Sequence, residues 1–321
     1  MKKLMLAAVC VAAAAISMGG SPAIAQSQSK TLKIIVPYTP GSGPDITSRL
    51  MGEQIQKAGG PTVVVENRPG GGMTIGTEAA ARAEPDGNTL LLVANAFVVN
   101  MATKRGNFTL TNFEPVCNIA STPMPLVVQA NAPWKTVQEL VADAKANPGK
   151  ITFASGGPAT SLHIAIEVLR LATKIDINYV PYGGSGPAVT ALMGGHVQAV
   201  WADFPTVVSQ LKSGTLRALV TTSPKRLDVL PGVPIMDETG IVKYQAEIFY
   251  GLVAPAKTPP DMIKSLSEML LAAMNTPEMM AKFAQQGLFP DGTCGAKFGD
   301  FLKNITADYE KITTAAGIKP N

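Results

Sequence analysis

Short runs of apolar residues alternate with amphipathic stretches almost from one end of the chain to the other. Leu32 to Val36, Thr62 to Val65, Thr89 to Val93, Ile151 to Phe153, Ile177 to Val180, Val197 to Trp201 and Leu216 to Thr221 are short and rich in apolar and β-branched residues. They read as strands buried on both faces. Helical spacing fills the gaps between them. Thr136 and Glu139 form a capping box ahead of Val137, Leu140, Val141 and Ala144, and Asn147-Pro148-Gly149 closes that helix. Phe298, Phe301, Leu302, Ile305, Tyr309 and Ile312 keep one helical face near the C-terminus and are expected to pack in a core. The alternation predicts an α/β fold with mainly parallel sheets.

Residues 1–25 follow a different pattern. Lys2 and Lys3 precede an apolar run from Leu4 to Ile16, and Ala23-Ile24-Ala25 is a small-x-small site. This predicts a signal peptide cleaved after Ala25, export to the periplasm and a soluble mature chain. Cys10 follows Val9, not the small residue of a lipoprotein signal. What remains is longer than one compact core usually holds, so two lobes are expected. No low-complexity linker divides the chain, so it is expected to cross between lobes. Lobe 1 is placed at 26–129 with 250–321 and lobe 2 at 130–249.

Composition narrows the chemistry. The chain of 321 residues carries a formal charge of +4, and cleavage removes two of its lysines. That balance excludes a nucleic-acid or membrane footprint and leaves any anion to be bound locally. Cys117 and Cys294 are read as free buried thiols, with a disulfide as the alternative that an exported compartment permits. His163 and His196 are the two histidines, in no metal-ligand spacing, so neither metal nor cofactor is expected.

Glycine, serine and threonine gather where strands give way to helices. Tyr38 to Asp45, Ser155 to Ser161 and Pro181 to Pro187 are three such turns. The first turn of a helix leaves backbone N–H groups unpaired and carries partial positive charge, so each turn lets an anion approach closely. In open α/β sheets the crevice lies at the carboxyl ends of strands, where these turns begin. No phosphate-loop or dinucleotide pattern is present, and no serine sits in a nucleophile elbow. His163 is read as a local brace, Asp45 as either a helix-dipole partner or a ligand contact, and Asp203 as either the cap of the following helix or a crevice residue.

Several ordered motifs carry a resemblance. Ile34 to Tyr38 with Gly41, Asp45 and Arg49, then Val63 to Gly70, Pro85 to Leu91, Ala146 to Lys150, Thr160-Ser161 with His163, Val180 to Tyr182 with Gly184-Ser185, Leu216 to Leu219 and Gly251 to Pro255 resemble the solute receptors of tripartite tricarboxylate transporters, the Bug family. The resemblance implies a type II periplasmic binding protein fold of two α/β lobes with a ligand cleft between them. It implies a monomeric, non-catalytic receptor that holds a small carboxylate (a dicarboxylate, acidic amino acid or aromatic acid) and delivers it to membrane permease subunits. Carried over, the contacts are Tyr38, Thr39, Ser42, Gly43, Asp45 and Asn95 from lobe 1, and Ser155, Thr160, Ser161, Gly184 and Ser185 from lobe 2, with Ala202 and Asp203 at a strand end. The chain departs from the family pattern at Gly183, Trp201 and Ala202, which points to an altered second-lobe wall and a bulkier or aromatic acid. The rivals are a sensor that presents the same ligand to a signalling partner and a periplasmic hydrolase using Ser155 or His163.

Overall fold

The computed structural model describes residues 31–158 and 160–315, so the expected signal peptide and its cleavage site lie outside the described residues. Strand β1 (Thr31–Val36) leads into α1 (Gly43–Lys57), β2 (Thr62–Asn67), α2 (Thr74–Ala81), β3 (Thr89–Val93) and α3 (Asn95–Ala102). β4 (Phe113–Pro123) and β5 (Pro125–Gln129) follow with Met124 between them. Next come α4 (Val137–Ala146), β6 (Thr152–Ser155), α5 (Ser161–Thr173), β7 (Asn178–Pro181), α6 (Ser185–Met193), β8 (Ala199–Trp201), α7 (Phe204–Lys212) and β9 (Leu216–Thr221). The chain ends with β10 (Glu247–Pro255), α8 (Pro260–Met274), α9 (Pro277–Gln285), β11 (Phe289–Pro290) and α10 (Ala296–Ala315).

Two sheets result, in the orders β11-β4-β10-β3-β1-β2 and β7-β6-β8-β5-β9. The strands expected from apolar runs all form, and β1 shows why. Leu32, Ile34 and Val36 enter one apolar cluster while Ile35 enters another with Leu91 and Val93. Both faces are buried, as a strand with helices on either side requires. β1 pairs in parallel with β2 and β3, and β6 with β7 and β8. The remaining pairings are antiparallel, through β4, β5 and β10. The sheets are therefore mixed where mainly parallel ones were expected.

The crossings also differ from expectation. β5 pairs with β8 and β9 in the second sheet, so the chain changes lobes at Met124, ahead of residue 129. It returns before Glu247, where β10 begins, ahead of residue 250. Thr222 joins the two crossings. Its buried hydroxyl accepts from the Met124 N–H at 3.2 Å and donates to the Ala246 carbonyl at 2.6 Å. Its backbone bonds the same two residues.

The reading of Cys117 and Cys294 as free thiols is corrected: they form a disulfide. β4 carries Cys117 and the loop ahead of α10 carries Cys294, and antiparallel bridging sets the two backbones side by side. Sequence spacing misses this because the bond spans 177 residues. α10 docks on the same sheet through Phe298, which is fully buried. Gly251 on β10 makes the room, since a Cβ there would overlap the Phe298 ring. The C-terminal aromatics thus pack as expected, with Phe249, Phe298 and Phe301 in edge-on and stacked contact.

Two outcomes follow from this architecture. Thr222→Val removes the hydroxyl from a buried site and is expected to lower the unfolding free energy by about 1–3 kcal/mol; an unchanged denaturation midpoint would show that the backbone bonds alone hold the crossing. Reducing Cys117–Cys294 is expected to cost about 2–4 kcal/mol. The drop should appear as a lower melting temperature in dithiothreitol, reproduced by the Cys117→Ala/Cys294→Ala double variant in the absence of reductant.

Candidate functional site

Five helices, α1, α3, α5, α6 and α7, each start shortly after a strand, and all five starts face the seam between the lobes. From lobe 1 come Tyr38, Ser42 and Pro44 at α1, Ala94, Asn95 and Ala96 at α3, and Ile248 and Tyr250 on β10. From lobe 2 come Gly156, Thr160, Ser161 and Leu162 at α5, Gly184 and Ser185 at α6, and Asp203 at α7. Together they enclose a cavity of about 30 Å³. That space suits one or two water molecules.

No Lys, Arg or His lines this cavity among the described residues. The helix starts bring partial positive charge to its walls. Thr160 caps α5: its hydroxyl donates to the Gly157 carbonyl at 2.8 Å and accepts from the His163 N–H at 3.2 Å. That leaves the next residue free. Ser161 is one of the cavity's lining residues, and its hydroxyl is buried with no hydrogen-bond partner among the described residues. An unpaired buried hydroxyl costs about 1–3 kcal/mol, so a partner in the cavity would be welcome.

The lobes meet at Asp203, which is 2% exposed. One carboxylate oxygen accepts from the Gly43 N–H at 2.6 Å and from the Tyr250 hydroxyl at 2.9 Å, both on lobe 1. The other accepts from the Thr206 hydroxyl at 2.8 Å within α7. Burial first, and then the Asp203 charge, push the Tyr38 and Tyr250 phenols far above their ordinary range. Both stay protonated, and Tyr250 is held as a donor. Gly43 is required here, because a Cβ would overlap the Asp203 carboxylate and the Tyr250 hydroxyl.

The sequence profile of the tripartite tricarboxylate transporter family receptor matches residues 47–314. The chain belongs to this family. Protein BugT of Bordetella pertussis is 34% identical to the receptor over 266 residues, covering 82% of each chain. A solved structure of a periplasmic transporter is 33% identical with a TM-score of 0.86, covering 92% of the receptor and 100% of that chain. An R. palustris protein solved with adipate is 25% identical with a TM-score of 0.86 over the same shares. The receptor has the two-lobed periplasmic binding protein fold. It is a solute-binding protein, not an enzyme.

Of the residues expected at the site, Tyr38, Ser42, Asn95, Thr160, Ser161, Gly184, Ser185 and Asp203 border the receptor's cavity. Gly43 enters through its N–H to Asp203. Thr39 instead sits over Gly184 across the seam, its hydroxyl buried without a partner among the described residues. Asp45 serves structure: it accepts from the Gly41 N–H, the Asn67 amide and Arg49, bracing the β1–α1 turn. Ser155 is fully buried behind the turn, where its hydroxyl pairs with that of Tyr179 at 3.0 Å. Ala202 points into the lobe 2 core beside Val200. Trp201 is fully buried as well, so the altered wall expected from Trp201 and Ala202 is a core substitution. Strand alternation explains both, since the cavity begins only where β8 ends.

His163 stacks on Tyr179 at 4.4 Å with its Nε2 3.8 Å from Glu167, the local brace that was expected. Burial, the largest influence, lowers its pKa despite Glu167. Sequence reading missed Tyr250. Its one signal is a hydroxyl-bearing side chain within the otherwise apolar run Ile248 to Val253. Asn95 borders the cavity but is also tied down, donating to the Glu247 carbonyl and Tyr309 hydroxyl and accepting from the Phe249 N–H.

The seam makes a direct forecast. Gly43→Ala should force Asp203 and Tyr250 away from α1 and open the lobes, raising the radius of gyration measured by small-angle X-ray scattering; a wild-type radius and melting temperature would contradict the close approach.

Proposed function

We propose that the receptor works in the periplasm, after removal of residues 1–25, and captures a small carboxylate for uptake through the permease subunits of a tripartite tricarboxylate-type transporter. The classes considered are dicarboxylates, acidic amino acids and aromatic acids. The observation that carries this reading is the Ser161 hydroxyl, buried and unpartnered beside the starts of α5 and α6. A carboxylate placed there accepts from the hydroxyl and from first-turn N–H groups without any cationic side chain. The R. palustris relative solved with adipate supports an acid as the ligand.

The proposed cycle follows from where the groups sit. The lobes part, the acid docks on the α5 and α6 starts, and contact between Asp203 and lobe 1 re-forms over it. Because the contacts come from both lobes, ligand favours the arrangement in which they meet, to the extent of its differential affinity for the two states. Tyr38, Ser42 and Asn95 form the lobe 1 wall, with Thr160, Ser161, Gly184 and Ser185 opposite.

The test is thermal-shift screening of the mature chain against mono-, di- and tricarboxylates, acidic amino acids and aromatic acids. A ligand at about 100 times its Kd stabilises by roughly 2.7 kcal/mol, an upward shift of several degrees. Ser161→Val is expected to keep the fold and to weaken that ligand at least tenfold. A panel that shifts nothing would refute the carboxylate assignment, and unaltered affinity in Ser161→Val would remove the α5 turn from the site.

A further inference from the structure

The cavity holds one formally charged group, and it is negative. Asp203 borders the space at 2% exposure, with no Lys, Arg or His among the described lining residues to offset it. Its position also consumes donors. The Gly43 N–H, the first of α1, is given to Asp203 at 2.6 Å, and the next helical residue is Pro44, which has no N–H. The Tyr250 hydroxyl is given to the same oxygen. Asp203 therefore occupies the α1 start as a ligand carboxylate would, from within the chain. On the other wall the α5 start carries the Ser161 hydroxyl without a partner.

We propose that Asp203 is the residue that restricts this cleft to solutes with a single carboxylate: the solute's acid group docks at Ser161, and the Asp203 side chain takes the place of a second one. The inference rests on the carboxylate reading above and narrows it to monocarboxylates. The physical ground is charge confined in a small space. A dicarboxylate would bring its second negative group into an enclosure already holding a buried carboxylate, where water screens poorly and like charges repel strongly. It would also compete with Asp203 for the Gly43 N–H at the start of α1. Three of the roughly four acceptor positions of the Asp203 carboxylate are filled, by Gly43, Tyr250 and Thr206, and this arrangement suits a group that stays in place when the lobes meet.

The experiment is isothermal titration of the mature chain with acids matched in carbon number: hexanoate against adipate, and butyrate against succinate. Wild type is expected to bind at least one monocarboxylate ten or more times tighter than its matched dicarboxylate. Asp203→Asn, close in shape but uncharged, should cut that ratio at least tenfold. A dicarboxylate preferred by wild type overturns the role of Asp203 and leaves the carboxylate reading standing. So does an Asp203→Asn ratio equal to wild type. If none of the four acids binds, the inference fails, and a silent broader panel then refutes the carboxylate reading too. The wild-type comparison decides the matter even if Asp203→Asn does not fold.

Discussion

A carboxylate from one lobe, buried against a helix start and a tyrosine hydroxyl of the other, is the contact on which the arrangement of this receptor turns. Asp203 reaches across the seam to Gly43 and Tyr250, and each partner meets a separate demand. Position 43 tolerates no side chain, because the carboxylate lies against its Cα. Tyr250 must carry a polar tip through a strand that is otherwise apolar, and burial together with the nearby charge keeps that tip protonated. A charged hydrogen bond in a space closed to water is strong when made and costly when one partner is missing. The contact therefore fixes how the two lobes meet in this structure.

The rest of the molecule holds each side of that contact in place. In lobe 1 the Cys117–Cys294 bond and the Phe298 side chain against Gly251 hold the last helix on the sheet. Asp45, Asn67 and Arg49 stiffen the turn that presents Gly43. In lobe 2 the Thr160 cap and the stacking of His163 on Tyr179 fix the turn that presents Ser161. Between the lobes, the crossings at Met124 and ahead of Glu247 are bonded through the one hydroxyl of Thr222. Stiff lobes joined by two short segments are the geometry in which hinge motion concentrates.

Several elements were readable from residue order because their cause is local. β1, β3 and β9 are short, predominantly apolar runs, and three of the five helix starts follow glycine-rich turns that announce themselves. β4 was not readable. Pro115, Asn118, Ser121 and Thr122 break its apolar pattern, and it is a strand because β10 pairs along it. The lobe boundary was misplaced for the same reason, since β5 shows its membership of the second sheet only by its partners β8 and β9. Ser155 and Ala202 looked like site residues because they stand at strand ends, but one further step of alternation turns them into the core.

Sequence by itself determined the class of this protein: an α/β chain with helix starts ready for an anion, no cationic or metal-binding cluster, and motifs of a solute receptor in order along its length. Those properties depend on neighbours a few residues away, which the chain order displays. The tertiary structure decided which turns face one another, that Cys117 meets Cys294, and that Asp203 lies 160 positions from the N–H it occupies. Contacts of that range are set by packing of whole lobes, and no local pattern of residues encodes them. The buried carboxylate at the seam is one of these, placed there by the fold and not by any local motif.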